Sequence, residues 1–564
     1  VQVQTRPQEF DVIVVGSGAS GGWAAKRMSE AGLRVALVCA GRPLKDVDYT
    51  EHKQPYDLKY RGRATDLIRR TQPTQKDCYA CTEYNSDWFC NDLEEPYTTA
   101  TGKPFSWQGR MRVTGGRTNV WGRQSYRFSQ QDMKGASFDG FGIDWPLDYK
   151  DLAPYYDLVE DYVGISGLAE SLDQLPDSRF QPAMAFTCAE QHARDAIKGK
   201  LGRTLTIGRV ANLTTPINGR AKCHFCGPCE RGCQTHSYFN SAFTTVADAI
   251  KTGRTTHIPN AMVYQVLMDN ETNKANGVLY VDRVTRQVRE VRAKTVVLCA
   301  QALESARILL NSSNTRYANG LANSSGVLGH YLMDHLWVAG GATGEFPDLP
   351  GKPDANGPRR PNGIYLVKFR NINEQTRHKD FIRGYGYQGG SSINFNYAAS
   401  GFGQAFKEAV KQGSWMLNFA GFGECLPYYE NFVEIDKNVV DVFGIPVLRI
   451  AMAWGENEKK MIRDMGTAAG EMMEAAGGKK VTTFALEDRV PGYGIHEVGV
   501  ARMGADPKTS ILNQYQQTHD VKNLFVMDGA SMPSGGCQNP TLTIMALAVR
   551  SSDYLMAELK KGNL

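Results

Sequence analysis

The sequence predicts an α/β protein in two parts. One is a Rossmann-like nucleotide-binding domain begun at the N-terminus and completed at the C-terminus. The other is a domain built on an antiparallel β-sheet. Three observations predict this. Residues 11–15 (DVIVV) are an apolar run that leads into Gly16-Ser17-Gly18-Ala19-Ser20-Gly21 and then a helical stretch. From about 331 to 455 the pattern changes to short alternating segments, the signature of antiparallel strands. Near the C-terminus an apolar strand (NLFVMDGA, 523–530) and a long helical pattern from Thr541 return.

Taken in order, 11–15 reads as a buried strand, 19–31 as a helix and 33–40 (LRVALVCA) as a second strand, one β-α-β unit. Residues 49–99 are polar and irregular with scattered Pro and Gly, and read as a surface excursion. Residues 146–163 are helical in their second half. TVVLCA (295–300) is another buried parallel strand, followed by a helix through Leu303, Ala306 and Leu310. GIYLVKF (363–369), SINFNY (392–397), WMLNFAGF (415–422) and VLRIAMAW (447–454) supply the antiparallel strands. Segments 8–48, 100–128, 205–330 and 496–564 are assigned to the nucleotide domain, and 129–204 and 331–495 to the second domain.

Composition narrows the function. The 564 residues exceed one ordinary domain of roughly 100–200. With 42% apolar and 22% charged residues the chain is neither disordered, collagenous nor a coiled coil. Its 57 glycines exceed the usual fraction of about 7%, which suits tight backbone approaches. A net charge of +5 without a dense basic block gives no support for a nucleic-acid partner. No apolar run is long enough for a transmembrane helix. The opening VQVQTRPQEF has no apolar signal core, so a chain whose signal has been removed is expected.

Gly16 permits the tight turn, Gly18 lets the backbone approach a pyrophosphate, and Gly21 allows close helix–strand packing. Ala19 and Ser20 then present free N–H groups at the helix start. The acid expected at the end of the second strand is absent: Cys39 stands there, and a thiol is a poor acceptor for ribose hydroxyls. Arg42 nearby leaves an NADP 2′-phosphate site as a minor alternative. Two further blocks follow. Residues 112–122 read RVTGGRTNVWG. The C-terminal block is HEVGVARMG (496–504), DGASMP (528–533) and NPTLTIMA (539–546).

This ordered set resembles the glucose–methanol–choline (GMC) family of FAD oxidoreductases across nearly the whole chain. The resemblance implies an FAD-binding Rossmann-like domain assembled from distant segments and a substrate domain on an antiparallel sheet. His496 matches the family's catalytic base and Asn539 its second catalytic position. The chemistry stands on its own: alcohol oxidation needs a base for the O–H proton, and neutral imidazole suits it. The bland readings are a structural histidine, and an Asn539-Pro540 pair that merely caps a helix. Asp528 and Gly529 match contacts to the flavin's pyrophosphate and ribityl region, Val263 a backbone contact to adenine, and Gly115, Gly116 and Asn119 the loop against the isoalloxazine. Thr541 opens a helix whose N–H groups would face the reduced flavin. Val120 stands where covalently flavinylated relatives carry His, so non-covalent FAD is expected.

Cys223, Cys226, Cys229 and Cys233 are too compact for a usual zinc site and have ferredoxin-like spacing. An iron–sulfur cluster on the 221–240 loop is therefore expected, four-iron with all four ligands or three-iron with Cys223, Cys229 and Cys233, as in a sugar-dehydrogenase subgroup of the family. Disulfides or free thiols are the alternatives, and a disulfide is the bland reading of Cys78, Cys81 and Cys90. The expectation is an FAD-dependent sugar dehydrogenase, most like glucoside 3-dehydrogenase catalytic subunits. It would pass electrons through the cluster to an external acceptor. The resemblance implies a small accessory subunit, a cytochrome c acceptor and a periplasmic location. The rivals are an oxidase that reduces O2 and, in another class, a lyase that retains FAD.

Overall fold

The strand Phe10–Val15 carries only apolar side chains after Asp11, and residues 12–14 are fully buried, as a strand covered on both faces requires. In the computed structural model, which describes residues 10–63, 65–349, 360–394, 399–411 and 413–564, it pairs in parallel with Val35–Val38 on one side and with the second half of Val288–Leu298 on the other. Thr255–Ile258 extends the sheet beyond Val35–Val38, and Leu524–Val526 pairs in parallel with Val288–Leu298. The end of the chain thereby joins the layer that its beginning starts. The first half of Val288–Leu298 leaves this layer and pairs antiparallel with Lys274–Asp282, which pairs with Ala261–Asp269. Alternate side chains feed two cores. Val12 and Val14 pack with Ala24, Met28, Ala548 and Leu555, whereas Ile13 and Val15 pack with Leu303 and Ala306. The helices Ala19–Glu30 and Thr541–Lys561 lie against each other on the sheet.

The second sheet has six antiparallel strands in the order Lys479–Ala485, Gly340–Phe346, Ser414–Gly423, Tyr385–Asn394, Ile364–Leu366, Leu205–Ile207. One face is covered by the helix Glu456–Ala475, whose Met461, Met465, Met472 and Met473 are buried at helical spacing. That helix was not read from the sequence.

The structure corrects several expectations. Leu205–Ile207 belongs to the second sheet, where it pairs with Ile364–Leu366, and not to the nucleotide domain. The strand expected at 392–397 begins at Tyr385, and residues 395–398 lie outside the described residues. The expected strand 447–454 is not in the main antiparallel sheet. As Pro446–Ala451 it forms a small sheet with Phe432–Val440 and Thr98–Thr99. The excursion 49–99 is more than surface: Tyr49, Ile68, Cys78, Trp88 and Phe89 form a small core with Met111, Val113 and Val120. Among the described residues all cysteines are free, including Cys78, Cys81 and Cys90.

A buried ion pair ties the second sheet to the C-terminal block. Lys368 Nζ donates to Asp132 Oδ1 at 2.8 Å, and Gln538 Nε2 donates to Asp132 Oδ2 at 3.0 Å. Burial opposes the Asp132 charge, yet Lys368 and the Ser129 donors hold its carboxyl below the usual range. Lys368→Met leaves a buried carboxylate without its cation and is expected to cost about 3–5 kcal/mol in denaturant unfolding. Adding Asp132→Leu should recover part of that loss.

Candidate active site

The carboxyl ends of the parallel strands open onto a long cleft. In α/β sheets ligands bind at this edge. The cleft is lined by Gly16, Gly18, Ala19, Ser20, Cys39, Gly116, Val263, Asp528, Gly529, Thr541 and His496, all of them expected site residues. Gly21, Gly115, Asn119 and Asn539 do not line it.

The glycines divide by task. A Cβ on Gly21 would meet Gly16 O at 1.9 Å, so Gly21 closes the helix against the turn. A Cβ on Gly18 would meet no atom within 4 Å; its bare backbone faces the open cleft. The two loops are laced together. Ser17 Oγ accepts the Gly115 N–H at 3.0 Å and lies 2.9 Å from Cys39 Sγ. The Cys39 thiol therefore bonds to the glycine turn, which is its local role in place of an acid. Asn119 is buried and braces its own loop, donating to the carbonyls of Thr114 and Gly116.

Two groups in the cleft wall fit a phosphorylated cofactor and were not found from the sequence. Gln301 adopts φ +86°, rare for a non-glycine residue. Its Oε1 caps the helix Ala302–Asn311, while its buried Nε2 has no protein partner. Arg110 is buried, stacks on Trp107 at 4.1 Å and leaves its Nε without a partner. Unpaired buried donors along a glycine-rich cleft suit an anionic ligand such as a dinucleotide pyrophosphate. Asp528 accepts from Ser305 Oγ and the Ala530 N–H, and burial pushes its carboxyl up to about 6.

At the far end of the cleft, His496 and Asn539 come together: Asn539 Nδ2 lies 3.5 Å from His496 Nε2. The sequence left open whether Asn539 caps the C-terminal helix. It does not. The helix begins at Thr541 with Pro540 in the capping position, and no side chain caps it. The Asn539 Oδ1 instead accepts from Gln388 Nε2, on the second sheet, at 2.6 Å. This turns the Asn539 N–H donors toward the histidine. His496 is held by its backbone and by its loop. Asp334 accepts the N–H groups of Gly494 and His496, and Arg117 clamps Glu497 through both carboxylate oxygens. Burial pushes Asp334 up to about 7, with Glu497 adding to the effect. Burial, with His335 and Arg117 nearby, lowers the His496 pKa well below the usual histidine value, so the imidazole is neutral. Gln388 stands in no motif, and although Arg117 lies within the 112–122 block, its role, like that of Asp334, is revealed only by its contacts.

The cysteine loop departs from expectation. Cys226 is exposed, Cys229 and Cys233 pack against Tyr238, and Cys223 Sγ accepts the Phe225 N–H. Burial and neighbouring thiolate charge raise Cys223 and take Cys226 up to about 11, so the thiols do sense one another. Even so, among the described residues no three His, Cys, Asp or Glu side chains are gathered to hold a metal ion. In this arrangement of the loop the ligand set expected from the spacing is not gathered.

Two family descriptions, both named GMC oxidoreductase, match residues 11–337 and 427–548. The chain belongs to the GMC oxidoreductase family. As a GMC oxidoreductase it is an FAD-dependent enzyme acting on CH–OH donors of alcohols or sugars. It is 29% identical to 2-methyl-1,2-propanediol dehydrogenase of Mycolicibacterium austroafricanum over 98% of this chain and 96% of that protein. It is 26% identical to the fructose dehydrogenase large subunit of Gluconobacter japonicus over 98% of each. Pyridoxine 4-oxidase from Mesorbium loti shares the fold, with a TM-score of 0.60 at 16% identity, covering 97% of this chain and 99% of that one. Among the described residues no helix is long and apolar enough to cross a membrane.

The two glycines should separate cofactor binding from folding. Gly18→Ala is expected to leave apoprotein stability within about 0.5 kcal/mol, yet to weaken FAD binding at least about tenfold. Gly21→Ala should lower the apoprotein's melting temperature outright. Thermal unfolding of the apoprotein and fluorescence titration with FAD read the two effects.

Proposed function

We propose that this chain is the catalytic subunit of a sugar dehydrogenase that oxidises a secondary ring hydroxyl, the C3 hydroxyl of glucose or a glucoside in particular, to the ketone. The observation that carries the reading is the facing pair of His496 Nε2 and Asn539 Nδ2 at the end of the cleft. The substrate oxygen would accept from Asn539 while its proton passes to His496 Nε2, leaving the carbinol hydrogen to depart with its electron pair. Bound FAD supplies the hydride acceptor. The neutrality of His496 keeps its lone pair available for that proton. Beside the pair, Gln388 donates to Asn539, so the group facing the substrate oxygen is a fixed amide N–H, a donor that suits a hydroxylated ring. Relatives named for fructose and gluconate, in Gluconobacter japonicus and Pantoea cypripedii, support the sugar class.

The electron exit is the finer part of the proposal. The spacing of Cys223, Cys226, Cys229 and Cys233 is the support for an iron–sulfur relay, and a cluster would have to draw the four thiols together. Tyr238 lies between Cys229, Cys233 and the Asn119 carbonyl, to which its hydroxyl donates at 2.5 Å. The name "large subunit" of the fructose relative supports a small accessory subunit, while a cytochrome c as external acceptor and the periplasm as location rest on the family resemblance alone.

Purified holoenzyme offered D-glucose, methyl α-D-glucoside, D-fructose and gluconate without oxygen should bleach its flavin with at least one of them. The product from a glucoside should be the 3-keto sugar by NMR. His496→Ala should slow bleaching by about a thousandfold or more. Bleaching by none of these compounds sinks the sugar reading, and peroxide formed in air without another acceptor makes the enzyme an oxidase. Iron analysis with low-temperature EPR, before and after dithionite, decides the relay: no iron in either state removes it.

A further inference from the structure

His335 is not among the residues that line the cleft, and at first sight it is a structural histidine. Its neighbours give it a more specific task. The ring is buried. His335 Nε2 lies 2.9 Å from the Gly536 carbonyl oxygen, and a carbonyl can only accept, so Nε2 carries a proton. Burial depresses the His335 pKa to about 4, so the ring has a single proton and its Nδ1 is a bare lone pair. That Nδ1 lies 3.0 Å from His496 Nδ1, with the two rings edge to face and their centroids 4.9 Å apart. One of the two nitrogens must donate, and only His496 has a proton to give.

We propose that His335 is a positioning residue that fixes the tautomer of His496, holding the proton on Nδ1 and leaving Nε2 as the bare atom that faces Asn539 and the substrate. The chain of donors runs from His496 Nδ1–H to His335 Nδ1, and from His335 Nε2–H to Gly536 O. It ends on the loop that carries Asn539 three residues later, so one backbone segment sets both partners of the site. Gln388 does for Asn539 what His335 does for His496: by donating to Oδ1 it leaves the amide N–H groups facing the base. The charged groups around the two histidines do not compete for these protons. Asp334 accepts backbone N–H groups, and Glu497 is engaged by Arg117. Phe422 covers the remaining side of both rings. Which ring nitrogen is protonated is set by the bond that the other makes, and a base held in the wrong tautomer is a poor base.

The kinetic consequence rests on His496 being the base of the proposed reaction; the tautomer does not. Holoenzyme labelled with [15N]histidine reads the tautomer directly by NMR, with His496→Gln to assign the signal. The expected result is a protonated Nδ1 and a bare Nε2 on His496 between about pH 5.5 and 8. In His335→Leu the signal should move toward Nε2–H or an exchange average. Anaerobic flavin reduction by whichever panel sugar bleaches the enzyme should slow by about 10²–10⁴-fold, with KM changed less than about threefold. His335→Asn places an amide oxygen where Nδ1 was and should restore the rate to within about tenfold of the parent. A wild-type His496 protonated on Nε2 overturns the proposal, as does a His335→Leu enzyme whose signal and rate are unchanged. The wild-type spectrum decides even if His335→Leu does not fold. The expected spectrum in an enzyme that no panel sugar reduces would uphold the tautomer while the sugar reading fails.

Discussion

The site depends on one strand and its two parallel pairings: Val288–Leu298 with Phe10–Val15 on one side and with Leu524–Val526 on the other. Parallel strands share a direction, so their carboxyl ends share an edge. That edge brings the glycine turn after residue 15, the Cys299–Gln301 turn and Asp528 to the mouth of one cleft, although more than 500 residues of chain separate the first from the last. The Met527 N–H to Leu298 O bond and the Cys299 N–H to Val15 O bond carry the register just past the strand ends. A slip there would move the whole C-terminal block, with Asn539 behind it, away from the cofactor cleft.

The other partner of the site comes from the second sheet. Gln388, on the strand Tyr385–Asn394, reaches Asn539, and the Lys368–Asp132 pair with Gln538 anchors the same loop from beneath. A buried ion pair is weak evidence for stability, but it is costly to mis-set, since each charge is unpaired in any other arrangement. The loop 535–540 is therefore held from three directions: by Lys368 and Asp132, by His335 and by Gln388. Rigid support of this kind keeps two uncharged polar groups at a useful separation without a metal or a strong ion pair between them.

Much of this was legible in the residues. The strand–glycine–helix start and the returning C-terminal strand and helix follow from apolar runs and a glycine-rich turn, and the pairing of His496 with Asn539 follows from the resemblance of their motifs to the GMC family. Other features were not. The helix Glu456–Ala475 was hidden because methionine, alanine and glycine make a weak apolar stripe. The spacing of the cysteine run is visible in a sequence, whereas whether its thiols are gathered is not, and in the structure no three of them are. The segment 49–99 read as surface because its core residues are spread singly among polar neighbours and meet only in space.

The sequence by itself determined a two-part α/β protein with a nucleotide-binding turn, because periodicity and glycine-rich turns are local properties that survive without a fold; the flavin and the histidine–asparagine pair followed from the resemblance of its motifs to the GMC family. Only the tertiary structure decided which atoms of that pair face each other. The Asn539 amide is oriented by Gln388, 151 positions away in the chain, and the His496 ring meets His335 at a distance of 161. Hydrogen-bond direction depends on where the second partner lies in space, and a linear chain does not display that Gln388 meets Asn539 or that His335 meets His496.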